Sequence, residues 1–259
     1  MNGRFNFNWP GWSSFVFLLL LWELGARIAP GYRLYLPPIT SVIGALGQLL
    51  VTGAVGRHLL ATLERFLAGY LIAAALGVTL GIALGYFRPL HSLFGIVIEL
   101  LRPMPSVAII PVAILTLGIG DSMIVAVTVY ASVWSILINT IDGVRHIENT
   151  LVDTGRTFGL SRWRILRQII LPGASPYIVT GLRIALSIAL ILVTTAEMIA
   201  GSKGLGFFIL DEERSMNSGN MYAGIIIVAA LGYALNRLFL VAEARVMRWR
   251  HGMMARETA

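Results

Sequence analysis

Between Phe66 and Phe87 the chain runs twenty-two residues without a charge, and between Ser122 and Ile141 another twenty. As a helix rising about 1.5 Å per residue, such a run is roughly 30 Å long, the thickness of a bilayer's hydrocarbon core. Inside that layer no water is available to the backbone, so only helices or closed barrels can cross it. Composition agrees with helices in lipid. The chain is 57% hydrophobic and 13% charged, against about 25% charged in a typical soluble domain. Its 259 residues fit one bundle of about six spans of ~20 residues with loops. The absence of cysteine excludes a disulfide framework and a thiolate metal site. Four scattered histidines make no metal constellation, and no polar domain is large enough to bind nucleic acid.

Six spans are expected, at about Trp12–Ala29, Phe66–Phe87, Leu93–Ile119, Ser122–Ile141, Pro176–Ala200 and Met221–Val241. The first has no small-x-small cleavage site after it and reads as an uncleaved span. A polar, proline-bearing loop is expected over 30–56, and a glycine-rich loop over 201–220. This divides the chain into an N-terminal span with its external loop (1–58), a core (59–241) and a tail (242–259). Basic residues set the orientation. With the N-terminus inside, Arg4, Arg88, Arg145, Arg156, Arg162, Arg164, Arg167, Arg245, Arg248, Arg250 and Arg256 face the cytoplasm. Only Arg33, Lys203 and Arg214 fall outside, while Arg57 and Arg65, before the second span, weaken the bias without reversing it. Both termini are therefore expected in the cytoplasm.

The second span repeats Gly69, Ala73, Gly77, Gly81 and Gly85 every four residues. One stripe of small residues lets two helix backbones approach closely, either for packing or for sliding. The third span contains Arg102-Pro103-Met104-Pro105, and proline removes a helix donor. A bend is expected there, as a pathway segment or as an ordinary kink. Glu99 and Arg102, at i and i+3, can pair on one face. Arg183 and Glu197 lie about 21 Å apart along the fifth span, so each needs another partner. Arg183 can snorkel to the cytoplasmic end. Glu197 can line a cavity or brace the loop that follows.

The cytoplasmic stretch DTGRTFGLSRWRILRQIILPGASP, residues 153–176, interrupts this apolar pattern. Residues 145–158 read as an amphipathic helix. Gly159 suits the left-handed position after a helix end, and Ser161 the N-cap of the next helix. Trp163, Leu166, Ile169 and Ile170 then share an apolar face. Pro172 ends that pattern and Pro176 starts the next span. Such an elbow can rest on lipid headgroups or dock a soluble partner, and the physics alone does not separate the two.

Counted from Asp153, the stretch has the spacing D-T-G, three residues, Gly159, nine residues, Ile169-x-Leu171-Pro172. This resembles the EAA loop of ABC importer permeases, with Asp-Thr-Gly in place of Glu-Ala-Ala. "LRPMPSVAIIPVAILTLGIG", "TGLRIALSIALILVTTAEMIAGSKGLGF" and "MYAGIIIVAALGYALNRL" are similar to the nitrate/sulfonate/taurine branch. The resemblance covers about Leu59 to Leu240 and implies an all-α, six-span type I ABC importer permease fold (MetI-like) in a bacterial inner membrane. It also implies a homodimer, two cytoplasmic ATPase subunits and a solute-binding protein. The implied solute is small, anionic, nitrate-, sulfonate- or taurine-like. By this resemblance Asp153, Gly155, Arg156, Gly159, Leu160 and Ser161 couple to the ATPase. Arg102, Pro103, Pro105 and Glu197 are candidates for the pathway. No G-x-x-x-x-G-K-[ST] loop is present, and "GSKGLG" at 201–206 is not one. ATP and Mg thus belong to the partner, and the chain itself is expected to hold no cofactor and to be no enzyme. The rivals are an ATPase-independent secondary transporter or channel, for which no internal repeat is evident, and a membrane scaffold.

Overall fold

A computed structural model of the chain describes residues 9–28, 31 and 35–247. Arg4, Arg33, Arg248, Arg250 and Arg256, and with them most of the tail, lie outside the described residues. Helices α1 (Trp9–Ile28), α2 (Ile39–Thr52) and α3 (Gly56–Tyr86) come first. Next are α4 (Arg88–Leu101), a 3-10 turn (Ser106–Ile109), α5 (Ile110–Leu117) and α6 (Asp121–Arg145). The elbow helices α7 (Asn149–Thr157) and α8 (Arg162–Ile165) precede α9 (Leu171–Ala200), α10 (Leu205–Arg214) and α11 (Ser218–Val246). Among the described residues, five helices are long and apolar enough to span a membrane, and the α4–α5 pair makes a sixth if its two halves count as one.

The centre is a three-helix sandwich of α3, α6 and α9. The glycine stripe of α3 lies on α6 in a fixed register. A Cβ on Gly69 would meet Thr128, on Gly77 Ile136, on Gly81 Thr140 and on Gly85 Val144, each within 2.5–2.8 Å. Both series rise together, so the two helices run parallel and offer matching i+4 stripes. Packing of this closeness supplies the dispersion energy that lipid cannot supply by exclusion. On its other side α6 meets α9 antiparallel: Gly143 sits against Tyr177, and Gly181 against Asn139. The packing role expected of the α3 stripe is therefore what the structure has.

Several expected boundaries move. α3 begins at Gly56, so Arg57 and Arg65 lie within the helix, and the 58/59 division falls in its first turn. The expected loop before it contains α2, whose Val42 and Leu49, at i and i+7, bury against Phe208 and Ala223. The loop after α9 likewise contains α10. The fifth span does not start at Pro176. Helix runs from Arg162 to Ala200, through both prolines. A π turn over Leu166–Ile170 absorbs the strain just before Pro172, with Leu171 N–H reaching back to Leu166 C=O. α4 buries no residue in this molecule, so it packs lightly at the edge of the bundle.

Candidate functional site

Three regions carry the polar chemistry. The first is the elbow. α7 ends in a Schellman turn: Leu160 N–H donates to Gly155 C=O at 3.0 Å and Gly159 N–H to Arg156 C=O at 2.9 Å. Gly159 has φ +72° and open space around the missing Cβ, so conformation, not room, demands glycine. Ser161 caps the next helix, its Oγ accepting from Arg164 N–H at 3.4 Å. Asp153, Arg156, Gly159 and Ser161 lie exposed, and Asp153 pairs with Arg156 at 3.0 Å. Gly155 and Leu160 face inward. A Cβ at Gly155 would lie 2.8 Å from the Ile169 tip, so the alanine of the EAA pattern would need that side-chain end to shift. Phe158, 81% exposed at the tip, and Trp163 present apolar surface beside this turn. Phe158 was not among the residues expected at the tip, although its place directly before the capping glycine marks it.

The second region is the broken third span. α4 and α5 meet at 91°. Leu101 C=O loses its helical donor because residue 105 is proline, and the Tyr130 hydroxyl donates to it instead at 3.0 Å. Arg102 and Pro103 line a cavity of about 640 Å³ together with His91, Glu99 and Asp142, and Pro105 N-caps the 3-10 turn beyond it. The expected Glu99–Arg102 pair is absent: no ion pair joins them among the described residues. Both side chains are exposed, and α4 ends at Leu101, so Arg102 sits at the end of the helix on which the i, i+3 pairing was counted.

The third region lies at the opposite end of the bundle from the elbow. Glu197 is wholly buried. Arg65 Nη1 donates to its Oε1 at 2.7 Å and to Lys203 C=O at 2.7 Å. The remaining guanidinium N–H groups hold Asp121 Oδ1, from Nε at 2.9 Å and Nη2 at 2.5 Å. Thr62 Oγ1 donates to Glu197 Oε2 at 2.8 Å and accepts from Leu205 N–H at 2.7 Å. Gly206 N–H donates to Glu197 Oε2 at 3.0 Å, and Gly204 N–H to His58 Nδ1 at 3.2 Å. His58, Thr62 and Arg65 recur at i, i+4 and i+7, one face of α3.

The glycines of "GSKGLG" now have a reason. A side chain on Gly204, at φ +114°, would overlap the Glu197 carboxylate, and one on Gly206 the Thr194 carbonyl. Of the two places expected for Glu197, a cavity wall or a brace for the following loop, the geometry has the brace. It exposes no surface to a pathway. Arg183 finds Glu243 of α11 at 4.0 Å while staying 45% exposed. Thr62 and His58, and the role of Arg65, were missed because they fall before the uncharged run that marked the span. Their i, i+4, i+7 spacing was the available signal.

Residues 73–248 match the family described as binding-protein-dependent transport system inner membrane component. The taurine transport system permease of Escherichia coli K12 is 30% identical over 242 residues, covering 91% of this chain and 87% of that protein. The nitrate import permease of Leptolyngbya laminosa is 33% identical over 187 residues, 72% of this chain and 67% of that protein. Among solved structures, a chain of the MetNI methionine ABC transporter in inward-facing conformations superposes with a TM-score of 0.63 at 20% identity. The alignment covers 76% of this chain and 96% of that one.

Proposed function

The chain belongs to the family of binding-protein-dependent transport system inner membrane components, and on that premise we propose how this molecule takes part in import. It is a multi-pass permease subunit of an ATP-binding-cassette importer, and ATP hydrolysis belongs to a separate subunit. In our reading two copies form a homodimer in a bacterial inner membrane. Two cytoplasmic ATPases sit below it, a solute-binding protein works outside, and the permease holds no cofactor of its own. The solute is a small anion of the nitrate, sulfonate or taurine kind, in keeping with the two relatives named above. Arg102, Pro103 and Pro105 mark the pathway at the break between α4 and α5, where Glu99, Arg102 and Asp142 bring charged groups to the wall of a cavity. Glu197 has no part in that pathway.

The elbow carries the coupling reading. A Schellman turn projects Gly159 and the exposed Phe158 ring from two short helices. The second of them, α8, is continuous through the π turn with the central span α9. A push on the tip is thus delivered to the middle of the bundle as a rigid-body movement. Asp153, Arg156 and Ser161 surround the tip as polar contacts. Gly155 and Leu160 hold the two arms together.

The test is co-purification with the cognate ATPase in detergent. Gly159→Val puts a β-branched residue where φ is positive, and Phe158→Asp removes the apolar tip while sparing the turn. Both variants are expected to lose the ATPase while the permease keeps its unfolding temperature within a few degrees. Retention of the ATPase by both would place the elbow on lipid and favour a transporter that needs no ATPase.

A further inference from the structure

Beside the elbow, where α3 ends and α4 begins, lies a cleft of about 980 Å³ whose basic residues on α4 and α6 the transport reading does not use. Arg88 and His91 come to it from the first turn of α4, and Arg145 from the last turn of α6. One face of α7 supplies Asn149, Asp153 and Arg156, at i, i+4 and i+7. Arg156 is already held by Asp153. Arg88 and Arg145 have no carboxylate within ion-pair distance among the described residues. Two guanidinium groups on different helices thus flank one cleft without a counter-ion from the protein.

The surroundings strengthen their field. The floor is apolar, formed by the close contact of Gly85 with Val144 and by Ile170. A low-dielectric wall behind exposed cations screens them less than open water does. α4 and α7 both start at this cleft, and neither start has a side-chain cap. The C-terminal ends of α3 and α6 meet the cleft as well, so the helix dipoles largely cancel there and the positive potential comes from the arginine side chains. A guanidinium fork fits the paired oxygens of a tetrahedral oxyanion.

We propose that this cleft binds a phosphate-type oxyanion, supplied by the headgroup of an acidic phospholipid or by free phosphate. It lies at the shared end of α3 and α6, at the depth where a bilayer's headgroups begin. The bound oxyanion bridges Arg88 and Arg145 and approaches Arg156, so it ties the root of the elbow to α4 and α6. The site does not depend on which solute is carried, and the ATPase is not needed to detect it.

The measurement is thermal unfolding of the delipidated permease, followed by tryptophan fluorescence at fixed ionic strength. Phosphatidylglycerol, phosphatidylcholine and inorganic phosphate are titrated separately. Wild type is expected to gain about 5 °C at saturation with phosphatidylglycerol or phosphate, and nothing with phosphatidylcholine. A gain with phosphatidylglycerol alone assigns the lipid, and a gain with phosphate assigns the free anion. The double variant R88Q/R145Q is expected to lose the gain. The charge-matched variant R162Q/R164Q, on the far arm of the elbow, keeps it. Native mass spectrometry of the same proteins counts bound phosphatidylglycerol, so a shifted starting temperature does not decide the result. The proposal is overturned if phosphatidylcholine acts equally, if R88Q/R145Q retains the gain and the adduct, or if no ligand acts at all.

Discussion

The guanidinium of Arg65 serves Asp121, Glu197 and the Lys203 carbonyl at once, and so joins α3, α6, α9 and the loop leading to α10. A buried carboxylate is tolerated only when its charge and lone pairs are matched, and here Thr62 and Gly206 complete what Arg65 begins. Removing one partner leaves the other charge buried and unpaired, at about 3–5 kcal/mol. Arg65→Ala is therefore expected to lower the unfolding temperature in detergent more than Asp121→Ala, since Asp121 is 59% exposed and readily hydrated. Arg65→Lys is expected to rescue only part of the loss, because an ammonium lacks the planar fork that reaches both carboxylates. Equal effects for Arg65→Ala and Asp121→Ala would show that the buried half of the cluster contributes little. Of these residues only Glu197 stood out in the sequence, because a charge inside an apolar run is conspicuous and a charge at its edge is not.

At the scale of elements, the α3–α6 contact is close along its whole length and rests on what is missing from α3. A Cβ on Gly81 would come within 2.5 Å of Thr140 Cβ and 3.0 Å of Leu137 C=O, and neither backbone nor a β-branched carbon can move aside. Gly81→Leu is expected to force the helices apart and cost at least about 1–3 kcal/mol, read as a lower unfolding temperature and faster unfolding. Gly47→Ala on α2, where a Cβ meets nothing within 4 Å, is expected to be neutral or to stabilise by up to about 1 kcal/mol. Similar losses at both positions would mean that glycine matters for helix flexibility and not for contact. The i+4 stripe was legible because small residues at helical spacing have few other uses in lipid. The continuous helix through Pro172 and Pro176 was not, because a π turn is a tertiary accommodation with no residue signature of its own.

Taken as a whole, the molecule has two polar ends, the elbow at one and the Arg65–Glu197 cluster at the other, separated by the three-helix centre. The chain has no cysteine, so single cysteines report their side of the membrane without background. With the elbow cytoplasmic, as the bias of arginine implies, Met216→Cys, 62% exposed after α10, is expected to react with an impermeant maleimide on intact cells. Phe158→Cys is expected to react only after permeabilisation, and the reverse pattern would invert the orientation. The sequence by itself determined that the chain is a helical membrane bundle, where its long uncharged spans lie, and that an elbow turns at Gly159. These follow from local constraints, namely backbone satisfaction in lipid, span length and the left-handed preference of glycine. Only the tertiary structure decided that Glu197 braces a loop, that Arg65 is its counter-ion, and that Glu99 and Arg102 stay apart. Each depends on which charges from distant segments arrive within about 3 Å of one another, and Coulomb energy in a low-dielectric interior is governed by that distance.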